Sequence, residues 1–261
     1  MPEGDVVWYT ARRLHEALAG RQLTLSDFRV PRWATTDLRG RTVDGVASRG
    51  KHLLTRVAGD VTVHTHLKME GAWRIRRAAA PPRDHRVRLV LANAEWLAAG
   101  YSLGLVEVVR TSREDRAVGH LGPDLLGPDW DPAEAVRRLR EQPERTIGEA
   151  LLDQTRLAGI GTIYRAETLF LRGLHPWTKV ADVADLTALV ELAQRLLDAN
   201  KDGYGQVVTG DRRPGRQRYI YGRAGRPCRR CGVQVERGVQ GPDPYERIIF
   251  WCPACQPGPL P

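Results

Sequence analysis

Cys228-Arg229-Arg230-Cys231 and Cys252-Pro253-Ala254-Cys255 are two C-x2-C pairs separated by 20 residues, and they contain all four cysteines of the chain. This spacing reads as a zinc ribbon. Each C-x2-C turn points two thiolates at one centre, and two such turns on neighbouring strand ends close a tetrahedral site of four sulfurs. Four thiolates leave no open position, so the expected metal is a single structural zinc. The competing reading, two disulfides or free thiols, is disfavoured in a reducing compartment. A ribbon of this size has little core of its own, so metal binding supplies much of its local stability.

Working upstream, residues 202–226 are dense in glycine and arginine, including Arg212, Arg213, Arg216 and Arg218. A charge run of this kind is by default a solvated loop. Before it the apolar residues recur at helical spacing in Pro132 to Glu141, Ile147 to Asp153, Thr162 to Arg172 and Leu186 to Asn200, punctuated by Gly159, Gly161, Gly173 and Pro176. From Thr111 to Asp131 the sequence is charged and then rich in Gly, Pro and Asp, which reads as a linker. Earlier still the period falls to two. Val43 to Val57, Val61 to Leu67, Trp73 to Arg76, Val87 to Leu91, Trp96 to Ala99 and Leu105 to Val109 read as short strands, with hairpin turns at Ala58-Gly59-Asp60 and Asn93-Ala94-Glu95. A helix from a cap at Asp5 to about Ala19 precedes them. The expected organisation is therefore an α+β chain of several domains: a leading helix and β-sandwich over residues 1–110, a linker over 111–131, a helical domain over 132–219 and the ribbon over 220–257.

Composition narrows the partners. In 261 residues, 40 Lys and Arg against 31 Asp and Glu give a formal charge of +9, which favours a polyanion or an anionic membrane surface. No apolar run approaches the ~18 residues of a spanning helix, and the start of the chain lacks an apolar signal core. The expectation is a cytoplasmic, nucleoid-associated protein acting as a monomer on nucleic acid.

Four separated motifs point the same way. Met1-Pro2-Glu3-Gly4, Ser48-Arg49-Gly50-Lys51-His52-Leu53-Leu54, the stretch from Leu151-Leu152-Asp153-Gln154 through Ala158-Gly159-Ile160-Gly161-Thr162-Ile163-Tyr164, and the four-cysteine ribbon together resemble the formamidopyrimidine-DNA glycosylase and endonuclease VIII family. Any one of them could arise by chance, whereas their order and spacing are specific. The resemblance implies an N-terminal β-sandwich, a helix-two-turn-helix domain and a zinc finger. It also implies a bifunctional glycosylase and abasic-site lyase acting on damaged DNA. The short forms Lys51-His52-Leu53-Leu54-Thr55 and Phe250-Trp251-Cys252-Pro253 look more like the endonuclease VIII branch, which implies oxidised pyrimidines as substrates.

The residues make chemical sense of this. A small second residue allows removal of Met1, and an N-terminal α-amine, which titrates near 8, is partly unprotonated at neutral pH and nucleophilic. Pro2 is then the expected nucleophile at the sugar. Glu3, beside it, is the natural general acid and base. Taken alone, Pro2-Glu3 would merely begin a helix, where both residue types are favoured. Lys51 would by default be an exposed strand lysine; the resemblance places it in the active site, holding a phosphate and donating a proton during elimination. Arg247, five residues before Cys252, matches the arginine that the family's finger uses to clamp a phosphate, with a surface arginine as the plain alternative.

Gly159-Ile160-Gly161 makes a tight turn that aims the N-terminus of the Thr162 helix outwards, a site for a DNA phosphate through Gly161 and Thr162. The family usually carries asparagine where this chain has Thr162, so the contact is expected to weaken or to shift to backbone amides. Met69 in His66-Leu67-Lys68-Met69-Glu70-Gly71 is the candidate wedge for the hole left by an extruded base, against a core methionine, with Lys68 a neighbouring DNA contact. His120 is similar in position to a basic DNA-contacting residue of endonuclease VIII. His64 and His66 show no carboxylate or third ligand in register and read as ordinary strand histidines rather than a metal site. A non-catalytic damaged-DNA-binding protein on the same fold is the competing function.

Overall fold

The computed structural model describes residues 2–203 and 205–259, in two compact units that meet in sequence between His120 and Leu121. The first begins with α1 (Gly4–Leu18). Val7, Ala11, Leu14 and Leu18 form its buried stripe, and each fully buried leucine contributes about 2 kcal/mol by burial. The helix is capped two residues before the expected position. Glu3 is the N-cap and its carbonyl accepts from Val7 N at 3.0 Å, so Asp5 lies inside the first turn, buried, rather than capping it.

Eight antiparallel strands follow: β1 (Leu25–Phe28), β2 (Val43–Arg49), β3 (His52–Val57), β4 (Val61–His66), β5 (Ala72–Arg77), β6 (Val87–Ala92), β7 (Trp96–Tyr101) and β8 (Leu105–Val109). They form two four-stranded sheets, in the orders β1-β6-β7-β5 and β2-β3-β4-β8. Leu53, Val57 and Val63 of one sheet and Leu89, Leu91 and Ala98 of the other share a core with α1, as a sandwich requires. Both expected hairpin turns are present. At the first, Gly59 and Asp60 take positive φ of 91° and 59°. At the second, the Asn93 side chain accepts from Glu95 N and Trp96 N at 2.9 and 2.8 Å and donates to Ala17 O at 2.9 Å, fastening the turn to α1. A short α2 (Asp115–Val118) precedes the boundary.

The second unit takes up the remainder of the Gly, Pro and Asp-rich stretch: Leu125 is fully buried and Ala158 N donates to Pro123 O at 3.0 Å. Its helices are α3 (Pro132–Arg140), α4 (Ile147–Ala150), α5 (Thr162–Arg172) and α6 (Leu186–Asp198). Asp131 caps α3 by accepting from Ala133 N and Glu134 N, with Pro132 at the first helical position. Asp185 caps α6 through Ala188 N at 2.8 Å. Gly173, at φ 67°, supplies the left-handed stop of α5. Strands β9 (Glu236–Gln240) and β10 (Arg247–Trp251) pair antiparallel as the ribbon hairpin. Among the described residues no helix is long and apolar enough to cross a membrane.

Helix α5 is the member that joins ribbon to helical domain. Its Ala166 and Phe170 pack with Ile220, Val235, Ile249, Phe250 and Trp251. Arg165, with no exposed surface, donates to Gly148 O at 3.3 Å on α4 and to Ile248 O at 2.5 Å on β10. Glu167, equally buried, accepts from three successive backbone amides of the chain leading into the ribbon, Tyr219 N, Ile220 N and Tyr221 N, at 2.8, 3.0 and 2.8 Å. Burial pushes its carboxyl above the ordinary range, and the three amides pull against that.

Candidate functional site

In the first unit the sequence places Pro2, half-buried, directly before the fully buried Glu3 at the entrance of α1. Met1 lies outside the described residues. Helix α1 packs on β2 and β3, and His15 Nδ1 accepts from Val46 N at 3.2 Å, which fixes the helix against the strand that leads to Lys51. Arg49 pairs with His52 across β2 and β3, so Gly50 and Lys51 alone make the turn, Gly50 at φ 56°. A two-residue turn of this kind holds Lys51 at a hairpin tip with little freedom.

Lys68 and Met69 stand on the β4–β5 loop. Gly71 N closes the loop on Leu67 O at 2.9 Å and Lys68 N donates to His66 Nδ1 at 2.8 Å, with Lys68 at φ 53°. Leu67 is buried beneath the loop, and Met69 is 66% exposed at its tip. Met69 is therefore not a core methionine.

Four histidines gather here. His52 stacks on His64 with ring centroids 4.9 Å apart, meets His66 edge-on at 4.9 Å and faces His120 at 6.5 Å. Burial, with the charges of His66, His64, His120 and Lys68, lowers the His52 pKa to about 3. Burial and the charges of Lys68 and Lys51 lower that of His66 to about 4. Lys68 thus acts on both rings, Lys51 on His66 and His120 on His52. The expectation that no carboxylate stands in register with His64 is overturned: Glu107 on β8 pairs with it, and His64 Nδ1 lies 2.6 Å from Glu107 Oε1. The pairing is between distant strands, so nothing local in the sequence announces it.

In the second unit Gly161 is the N-cap of α5 and Thr162 its first residue, both buried, with Arg165 N donating to Gly161 O at 2.9 Å. The Thr162 hydroxyl donates to the Tyr221 phenol at 3.3 Å, so the short side chain works beside an aromatic hydroxyl that the motif alone did not reveal. Arg247 opens β10, exposed, donating to the carbonyls of Tyr245 and Glu246 at 3.0 and 2.9 Å. The same strand runs from it to Cys252.

The Sγ atoms of Cys228, Cys231, Cys252 and Cys255 all lie within 4.8 Å of one another. Cys228 and Cys255 are 4.0 Å apart and Cys231 and Cys252 3.4 Å apart, sulfur to sulfur, well beyond the ~2.05 Å of a disulfide. Tetrahedral zinc with bonds of ~2.3 Å sets sulfurs ~3.8 Å apart. The four thiols fit that ion.

A leading helix on a β-sandwich, a helical unit whose glycine turn opens α5, and a four-cysteine hairpin define the fold class of the formamidopyrimidine-DNA glycosylases. The family model for the formamidopyrimidine-DNA glycosylase N-terminal domain matches residues 1–100, and that for the formamidopyrimidine-DNA glycosylase H2TH domain matches residues 121–201. The chain belongs to the formamidopyrimidine-DNA glycosylase and endonuclease VIII family, on the endonuclease VIII branch. It is 55% identical over 267 residues to the probable endonuclease 8 2 of Streptomyces coelicolor, covering 100% of this chain and 96% of that one. It is 48% identical over 258 residues to the DNA-(apurinic or apyrimidinic site) lyase Nei2 of Mycolicibacterium smegmatis, covering 98% and 99%. Its fold matches the Lactococcus lactis formamidopyrimidine-DNA glycosylase bound non-covalently to DNA containing an abasic site, with a TM-score of 0.83, 25% identity and coverage of 98% and 100%. The protein is a DNA glycosylase and abasic-site lyase of DNA repair.

Proposed function

We propose that the chain excises oxidised pyrimidines through an iminium on Pro2 and then cuts the strand by successive β- and δ-elimination. The observation that carries the reading is the placement of Pro2 directly before the buried Glu3 at the entrance of α1. Once Met1 is removed, the amine of Pro2 attacks the deoxyribose C1′, and the base departs with the glycosidic electron pair and takes up a proton. Glu3 protonates the ring oxygen as the sugar opens. The iminium nitrogen is fully substituted by carbon and cannot discharge by losing a proton. It therefore acidifies the C2′ proton, whose removal expels the 3′ phosphate. A second elimination expels the 5′ phosphate and leaves a one-nucleotide gap.

Lys51 carries a proton to these steps and holds a phosphate, and Arg247 clamps a further phosphate. Gly161 and Thr162, at the α5 N-terminus, receive another. Lys68 and His120 contact the backbone, and Met69 fills the space of the extruded base. One structural zinc on the four cysteines holds the ribbon. The short forms Lys51-His52-Leu53-Leu54-Thr55 and Phe250-Trp251-Cys252-Pro253, which look like the endonuclease VIII branch, support the pyrimidine preference.

The test incubates mature protein with duplexes containing an abasic site, 5,6-dihydrouracil, thymine glycol or 8-oxoguanine, adds borohydride, and weighs the digested adduct. An adduct on the Pro2 peptide that is lost in Pro2→Gly is expected, with the pyrimidine lesions turned over fastest. No adduct at an abasic site from protein with a free N-terminus refutes the mechanism.

A further inference from the structure

Residues 74–88, which follow the Met69 loop, hold six arginines, Arg74, Arg76, Arg77, Arg83, Arg86 and Arg88, against one acid, Asp84, and no lysine. All six are exposed. Asp84 pairs with Arg86, and Arg77 lies 3.8 Å from Glu95. Among the described residues no carboxylate pairs with Arg74, Arg76, Arg83 or Arg88, so their charge stands uncompensated on one stretch of the first unit. The reaction above makes no use of it.

The sheet β1-β6-β7-β5 holds these arginines in place, because it is apolar on both faces. Leu89, Leu91 and Ala98 face the core shared with α1, whereas Val90, Ala92, Leu97 and Ala99, which alternate with them, form a separate buried cluster on the other face. Directly opposed residues of antiparallel strands share a face. Arg74 lies opposite Ala99 and Arg76 opposite Leu97, so both project on this second face, with their stems along it and their guanidinium groups in solvent. Arg74 lies over the Tyr101 ring, 4.5 Å from its centroid, and Tyr101 packs on the cluster. Stacking occupies the flat of a guanidinium and leaves its N–H edge for a phosphate. Arg76 donates to Ala80 O and Arg29 to Pro82 O, each at 2.7 Å, which ties the segment 78–84 to the same sheet.

This basic face is continuous with the Lys68-Met69 loop. Gly104 N donates to His66 O at 2.9 Å and Ser102 N to Arg86 O at 2.7 Å, so the β7–β8 turn joins the start of that loop to Arg86. Arg88 is the extra residue of a β-bulge at the same end of the sheet, where Val87 pairs with Tyr101 and Leu89 with Gly100. Arg74 follows Met69 by five residues, at most ~18 Å of extended chain, which is about five base pairs along a duplex at ~3.4 Å each. We propose that Arg74, Arg83 and Arg88 hold backbone phosphates of the duplex that flanks the lesion, beginning within about five base pairs of it on one side. The proposal rests on the reading of Lys68 and Met69 as DNA contacts and adds to them a sequence-independent grip on the first unit. The flank of the bound duplex, rather than a separate DNA segment, is the occupant, because the arginines begin where the lesion loop ends.

The experiment measures binding of full-length, zinc-loaded protein by fluorescence anisotropy over a range of salt. Three duplexes of about 30 base pairs carry an uncleavable abasic-site analogue at the centre, about four base pairs from the 5′ end, or about four base pairs from the 3′ end of the damaged strand. The wild type should bind the central site and one end-placed site alike, and the other end-placed site about tenfold more weakly. With Arg74→Gln, Arg83→Gln and Arg88→Gln combined, all three duplexes should bind at the weaker level. The log–log salt slope on the central site should become shallower by about 2.7, from ~0.9 for each of three phosphates. The three corresponding Arg→Lys changes, which keep the charge, should keep most of the preference. A Gln variant indistinguishable from the wild type, or a wild type with no flank preference, overturns the proposal. Equal weakening on all three duplexes also overturns it, and places the arginines on a separate DNA segment. Lys68→Gln should weaken all three equally; if it weakens none, the reading of the Met69 loop fails, and the flank preference still decides the role of the arginines.

Discussion

Replacing Glu167 with glutamine tests how the ribbon is held. Oε1 accepts from Ile220 N and Tyr221 N, and Oε2 from Tyr219 N, inside a site with no exposed surface. Glutamine has one acceptor where glutamate has two. Its NH2 group must face an amide hydrogen, most favourably that of Tyr219. Stranding one buried donor costs about 1 to 3 kcal/mol, and turning two charge-assisted bonds into neutral ones costs about 1 kcal/mol each. Relief from burying a charge offsets part of this, leaving a net loss of about 2 kcal/mol in the local stability of residues 219–221. Amide hydrogen exchange reads this directly, since about 2 kcal/mol corresponds to roughly thirtyfold faster local opening. The Tyr219, Ile220 and Tyr221 amides should accelerate together while the α1 amides do not. An acceleration of less than about twofold would mean that Glu167 is not the anchor, and would refute the hydrogen-bond accounting.

Three further outcomes are expected. Lowering pH should destabilise the first unit. His52 and His66 titrate at about 3 and about 4 against an ordinary 6.5, so the unfolded chain takes up protons first, and the stability of the neutral rings is complete above pH 6.5 and drains as pH falls from there toward 3. Thermal melts between pH 7 and pH 4 should fall by several degrees, and by less in a His52→Gln variant. Met69→Ala, on an exposed tip, should leave stability within about 0.5 kcal/mol yet slow excision of a paired lesion more than cleavage at a preformed abasic site, as separate rate measurements would show. Metal analysis should find one zinc per chain, and a chelator strong enough to remove it should abolish salt-sensitive DNA binding and unfold the β9–β10 hairpin, seen as lost tryptophan near-UV dichroism from Trp251.

The sequence signals that succeeded were local. Thr162 to Arg172 is a helix with those ends because a glycine turn precedes it and Gly173 stops it. The hairpin turns at Gly59 and Asn93 followed from turn chemistry. Strand β1 went unread because Leu25-Ser26-Asp27-Phe28 is four residues with a polar centre, and it exists through its pairing with β6. Helix α4 ends at Ala150 rather than running to Asp153, whose side chain accepts from Thr155 N at 3.0 Å and builds a turn instead. The same division holds at the site. Pro2, Glu3, Lys51 and the cysteines could be named from motifs. The Glu107–His64 pair joins two strands and the Thr162–Tyr221 bond spans 59 residues, so both depend on register and packing that no window of sequence contains.

The anchoring of the ribbon to α5 bears on its modularity. A zinc hairpin bound only through its metal could be exchanged between proteins as a cassette. Here Arg165 and Glu167, two residues apart on one helix, reach into opposite halves of the ribbon region, to Ile248 O and to the amides of 219–221. A chimaera that grafts residues 220–257 onto a foreign helical domain would leave Arg165 and Glu167 behind and carry away Ile248 O, Ile220 N and Tyr221 N, which satisfy them. Exchange of finger specificity between relatives therefore has to move α5 with the hairpin, and the unit of inheritance is the helix and finger together.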